Sequence, residues 1–399
     1  MLVHVEFVVL FLLQGAALGM WFVPLSGVLD AHGLRSIRPW AFATSALAAF
    51  VSPLIFGAMA DRHASPIRVL CGLAFASAAT LTLATLSIQF AAPPWAVLIL
   101  IQAYAFCASP TWSVSSAVVL GRLADPKKQF GPIRAMATVG WMAGCCLISA
   151  LHGDGSTLAG YCGAVTWLLV AAFSFTLPRV ESPVMAGTPT WRERFGLDAL
   201  QLLRHRDHRV VFTMTALFCI PLAAFYPYAP LHLRELGFTR TSAWMTLGQV
   251  TEVLSMFSLG ALLLRWRLKW IFGLGLAFGV LRFALSALDT RPFLLLGVLL
   301  HGGSFALVFI TAQIYLDQRV DPAWRARAQA LLSLTNSGVG NLAGYLATGW
   351  WFSICTNAAG TYWPRFWSGL SIAALFVLFY FLAAYRGRAA DLPTPGPIH

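Results

Sequence analysis

Apolar residues run along this chain in blocks too long for any soluble core. Pro, Gly and charged residues punctuate them into twelve stretches of about the 20 residues that a membrane-crossing helix needs. These stretches lie near 5–29, 39–60, 68–89, 94–120, 134–151 and 158–178, and then near 210–232, 241–264, 270–288, 292–316, 328–353 and 364–385. The longest polar interruption, Arg179 to Arg209, separates the first six from the second six. The pattern predicts an all-α polytopic membrane protein of two six-helix bundles, at 1–178 and 210–385, joined by a linker at 179–209. A Pro-rich, disordered tail is expected at 386–399. The N-terminal run MLVHVEFVVLFLLQG has no basic n-region and no small-residue cleavage site, so it reads as a first span.

Composition sharpens this picture. The 399 residues are 58% apolar and 11% charged, and the net charge of +12 would suggest nucleic acid in a soluble protein. Here the basic residues alternate with the spans. Loops on the side of the central segment hold twenty Lys and Arg, the opposite side holds six, and Arg282 lies within the ninth span. By the positive-inside rule, both termini and the linker are cytoplasmic, and the charge reports topology. The seven cysteines lack metal spacing and read as packing residues. No GxxxxGK[ST] loop occurs, so ATP is not the energy source, and no catalytic cluster points to an enzyme. Twelve spans in two sixes with a midplane site is an arrangement in which secondary transporters work.

Candidate chemistry is sparse, which makes it easier to place. Thr241 to Leu264 carries one charged residue, Glu252, among 24 positions, and an ionisable group at such depth is a functional hypothesis by default. Gln249 shares its helical face. In the fifth span Arg134, Thr138 and Trp141 fall at i, i+4 and i+7, also one face, offering a charged donor and a stacking surface. Arg134 reads equally as a snorkelling interfacial residue. His301 could titrate near neutral pH or serve as hydrogen-bonded structure. Arg282 reads as a static partner for an acid or as another snorkelling side chain. Glu6, Asp30 and Asp317 are expected at membrane surfaces. Asn336 either lines a cavity or accompanies the close packing of Gly338, Gly340 and Gly344. After the second span, Gly57, Asp61 and Arg62 form a GxxxDR, expected to act in gating.

That GxxxDR resembles the cytoplasmic signature of the major facilitator superfamily. Together with LLQGAALGMW, FGPIRAMATVGW, LDALQLLRHRD, GQVTEVLSM, LRFAL and ARAQALLSLTNSGVGNLAGY, it makes the whole chain similar to the bacterial nucleoside:proton symporters of that superfamily. The resemblance implies nucleoside import across the inner membrane by alternating access. Protons would be the coupling ion and the lipid bilayer the setting, with no cofactor and no nucleic acid partner; the protein is expected to be a monomer. It implies a substrate site of Arg134, Thr138, Trp141, Gln249, Glu252 and Phe305, with Tyr226 and Ala223 where the family has a polar pair. Proton coupling would fall to Glu252 or His301. Ala306 stands where the family has an aspartate and His301 where it has a tyrosine, so an uncoupled nucleoside or sugar facilitator stays open. A non-transporting membrane sensor is a third reading.

Overall fold

The computed structural model describes residues 5–51, 65–123, 126–177, 190, 192 and 195–387. Gly57, Asp61, Arg62, most of the linker and most of the tail lie outside the described residues. Helix occupies each of the twelve expected spans. Nine helices among the described residues are long and apolar enough to cross a membrane. The sixth span is a shorter apolar helix, Leu158–Ser174. The second is described over Arg38–Ala48, and the eleventh is assembled from Pro322–Ser333, a π-helical Leu334–Gly340 and Asn341–Ile354. A two-stranded ribbon, Thr356–Asn357 against Gly360–Thr361, joins spans eleven and twelve. Buried side chains form two large clusters, one drawn almost entirely from residues 7–177 and the other from 199–385.

The first span of each half is broken. Span one runs Val5–Phe22 and resumes as Leu25–Ala31 after Pro24; span seven runs Arg206–Leu222 and resumes as Phe225–Glu235, with Pro221 before the break and Pro227 after it. Proline lacks the N–H that would continue the helical ladder, so these positions interrupt it. The two breaks meet: the Phe22 and Tyr226 rings lie 5.2 Å apart, and Ser26 Oγ donates to the Pro227 carbonyl. The fifth span begins at Pro126, eight residues before the expected boundary, so Arg134 sits two turns inside the helix and not at its mouth.

Small residues set the closest helix contacts. Gly15 and Gly19 of span one face the backbone of Ala137 and Trp141, while Gly140 and Gly144 of span five face that of Leu12 and Ala16. These are two GxxxG pairs in register, which let backbones approach where there is no hydrophobic drive between helices. Gly340 and Gly344 likewise abut span seven, as expected of packing glycines. Replacing Gly140 by valine should cost about 1–3 kcal/mol through overpacking. It should lower the melting temperature of the detergent-solubilised protein, whereas Gly72→Ala, which meets open space, should not. Equal melting temperatures for the two variants would refute this account of the contact.

Candidate substrate-binding site

A cavity of about 1400 Å³ lies between the halves. It reaches from Trp21 and Leu25 at one end to Ala117, Gly131, Gln313 and Ala330 at the end that carries the chain termini. The opposite end is held shut between the halves. Asp154, in the loop after span five, accepts the backbone N–H of Ser242 at 2.6 Å and the Thr241 hydroxyl at 3.2 Å. Ser149 Oγ donates to the Asp154 carboxylate at 2.9 Å and accepts the Ala243 N–H at 2.9 Å. Span eight has no capping side chain of its own, since Arg240 holds the N-cap position in a left-handed conformation. Residues of the other half therefore satisfy the orphan donors of its first turn. Arg234 donates to the Asp154 carbonyl at 3.1 Å and lies 3.9 Å from Asp30, which also pairs with Arg35 at 2.6 Å and Arg38 at 3.1 Å. Asp30 is thus the centre of an arginine cluster and not a lone surface marker.

All seven residues expected to bind substrate line this one cavity. From the first half come Arg134, Thr138 and Trp141, carried on one face of span five as their spacing requires. The Arg134 guanidinium sits 3.4 Å from the centroid of Trp112 and 5.8 Å from that of Phe11, so it faces the lumen over aromatic rings and does not snorkel. From the second half come Tyr226, Gln249, Glu252 and Phe305. Gln249 Nε2 donates to Tyr226 Oη at 3.1 Å. Trp141 lies 5.8 Å from Tyr226 and 5.9 Å from Phe22, making an aromatic seam across the two halves. Arg134 and Glu252 attract across the cavity, and among the described residues no contact ion pair closes between them. Glu252 is the one carboxylate lining the cavity among the described residues.

Tight packing fixes where span eight points these groups. Gly302 of span ten lies against the backbone of Gly248 and Glu252, and Thr251 Oγ1 donates to the Leu299 carbonyl at 2.5 Å. Span ten then passes through a π-helical turn, Ala306–Ile310, in which Ala306 is fully buried and does not line the cavity. Phe305, one residue earlier, does line it. Among the other expectations, Asn336 is buried in the π-helical turn of span eleven and is not in the cavity wall, which Ser337 and Asn341 reach instead. Trp112 was not foreseen. Its place on the wall follows from Arg134, which needs an aromatic face opposite, but nothing in the fourth span alone singles it out.

His301 and Arg282 are partners, an arrangement the sequence reading missed. Arg282 is 2% exposed, and its Nη1 donates to His301 Nδ1 at 2.5 Å. It is neither a snorkelling residue nor, among the described residues, paired with an acid.

The model of the nucleoside H+ symporter family matches residues 1–390. This chain belongs to the nucleoside H+ symporter family. Relatives within the reach of that family include the candidate nucleoside transporter YegT of Escherichia coli strain K12, 32% identical over 383 residues that cover 90% of this chain and 89% of that protein. The xanthosine permease of the same strain is 26% identical over 397 residues, covering 92% and 93%. The crystal structure of the nucleoside transporter NupG superposes with a TM-score of 0.86 at 23% identity, over 97% of this chain and 100% of that one, which establishes the shared fold. Members of the nucleoside H+ symporter family have the major facilitator architecture, and the two clusters, the paired broken spans and the seam cavity of this chain conform to it.

Proposed function

We infer that this protein imports nucleosides across the cytoplasmic membrane by alternating access, coupled to protons. The observation that carries the reading is the cavity at the seam, where Arg134 and Glu252 face each other from different halves among Trp112, Trp141, Tyr226 and Phe305. Aromatic faces stack a base, an amide pairs with base edges, and a carboxylate and a guanidinium take ribose hydroxyls as donor and acceptor. A ligand touching both halves favours whichever state lets both make contact, which is how binding energy drives reorientation. The two units that move are residues 1–178 and 210–385, and the protein acts as a monomer. Both termini lie in the cytoplasm, supported by the asymmetry of Lys and Arg, nineteen to six once Arg134 is assigned to the cavity wall. The cavity then opens inward, and the Asp154 cluster closes the outer face. Because Glu252 is the carboxylate available in the wall, it carries the proton.

Purified protein in liposomes, given labelled uridine or inosine, should concentrate the nucleoside when the outside is made acidic. A protonophore should abolish the accumulation. Equilibration to equal concentrations irrespective of the gradient would instead establish a facilitator, the reading that the Ala306 position favours. No counterflow of either nucleoside would exclude transport of this class.

A further inference from the structure

The wall behind the cavity contains an ionised side chain whose use is not explained by carrying protons or touching cargo. Arg282, in the middle of span nine (Leu268–Ser286), is buried, and its guanidinium lies 4.5 Å from the centroid of Phe225 and 4.8 Å from that of Phe283. Its one hydrogen-bond partner among the described residues is His301 Nδ1. The His301 ring is stacked on Phe225 at 3.8 Å with an interplanar angle of 18°, edge-on to Tyr226 at 6.1 Å and near Phe305 at 6.2 Å. It is therefore fixed in orientation as well as in position. Its Nε2 has no hydrogen-bond partner among the described residues, and the residue contributes to the cavity wall.

A guanidinium has five N–H donors and no acceptor, and it keeps its charge in proteins. The nitrogen it touches must present a lone pair. His301 Nδ1 is thus unprotonated, and the neutral ring carries its proton on Nε2, the nitrogen left free. Placing a second proton on Nδ1 would set N–H against N–H beside a fixed positive charge, so the pair has one stable arrangement. Around the ring stand Tyr226 from span seven, Gly248 from span eight and Arg282 from span nine, and neither the Tyr226 hydroxyl nor the Arg282 guanidinium bonds Nε2.

We propose that Arg282 is a positioning residue that locks His301 as an Nε2–H donor aimed into the cavity, so that this wall reads a hydrogen-bond acceptor on the cargo, the exocyclic carbonyl of an oxo-base. This rests on the nucleoside reading above and deepens it. An amino group at the same place would set donor against donor, leaving a buried N–H unpaired, and a site built to bond one group rejects the analogue that cannot. The lock also removes His301 from proton coupling and leaves that role to Glu252. A free histidine would read either group, because its two tautomers exchange donor for acceptor; the arginine removes that choice.

Two measurements test this separately. First, protein labelled with nitrogen-15 histidine, with His301→Gln used to assign the signal, should show the His301 Nδ1 resonance of an unprotonated nitrogen and the Nε2 resonance of a protonated one. The opposite tautomer, or two protonated nitrogens, would overturn the lock whatever the cargo is. Second, inosine should compete against labelled uridine at least about tenfold better than adenosine does. Arg282→Met, which keeps bulk and removes the donor, should bring that ratio towards one, and Arg282→Lys, which keeps a donor, should retain most of it. An unchanged ratio in Arg282→Met would overturn the proposal. If that variant does not fold, His301→Gln, whose amide can turn to offer either group, should lose the discrimination by itself, and retained discrimination there counts against the proposal. If no nucleoside competes in the unmodified protein, the nucleoside reading and the acceptor assignment fail together, and the nitrogen resonances still decide the Arg282 lock.

Discussion

Glu252→Gln should abolish accumulation of nucleoside against a gradient while leaving nucleoside exchange intact. Glutamine has the shape of a protonated glutamate and no charge to titrate, so the variant resembles the proton-loaded carrier in every state. Taking an isolated carboxylate through a dehydrated intermediate is expensive, and the positive charge of Arg134 across the cavity only partly offsets it. In the unmodified protein the nucleoside-loaded site, where the cargo separates Glu252 from Arg134, is therefore hindered from reorienting until a proton arrives, whereas the empty site returns with the carboxylate drawn towards Arg134. The amide removes that condition, so transport continues downhill and in exchange but no longer stores the proton gradient. Reconstituted protein, loaded inside with unlabelled nucleoside for counterflow and empty for gradient-driven uptake, separates the two activities. Gradient-driven accumulation by the variant at the unmodified level would show that Glu252 is not the coupling group.

The second large effect is expected at the end of the cavity that Asp154 closes. Asp154→Ala removes the acceptor for the Ser242 N–H, the Thr241 hydroxyl and the Ser149 hydroxyl at once. Bonds of this charged kind contribute about 1.5–3 kcal/mol each. Since the open state lets water replace some of them, a net loss of a few kcal/mol is reasonable, enough to move the population between states by ten- to a hundredfold. The outward-open form should become prominent. With the seven native cysteines replaced, a cysteine at Leu25, which lines the closed end of the cavity, should react with an impermeant maleimide much faster in the Asp154→Ala background. Asp154→Asn, which keeps one acceptor oxygen, should fall between. Identical labelling rates in all three would mean that the cluster does not hold the face shut.

Much of this was open to reading from residues alone, and the divide has physical causes. Spans are legible because hydrocarbon demands long apolar runs. Arg134, Thr138 and Trp141, like Gln249 and Glu252, are legible because spacing along one helix fixes their shared face. The breaks after Phe22 and Leu222 are harder, since prolines near a span end resemble loop punctuation. The Arg282 to His301 contact joins two helices through side chains nineteen residues apart, and no local period encodes it. Asp154 sits in a short glycine-rich loop that looks like a connection; its role depends on the start of span eight, 87 residues later, arriving beside it. The fifth helix begins at Pro126, ahead of the boundary that Lys127, Lys128 and Pro132 suggest, because the chain continues helical through Pro132.

Span eight joins the two ends of the machine. Ser242, held by the other half, and Glu252, facing the cavity, lie ten residues apart on one uninterrupted helix, about 15 Å at 1.5 Å per residue. A rod of that length has little compliance along its axis, so a displacement that draws Glu252 across the cavity towards Arg134 must also move the capped end relative to Asp154. On the transport reading above, gripping the cargo and unlatching the face that Asp154 closes are then a single displacement of one rigid helix. On that reading a proton on Glu252 acts at one point of the rod and is felt at its capped end without any relay of side chains between them.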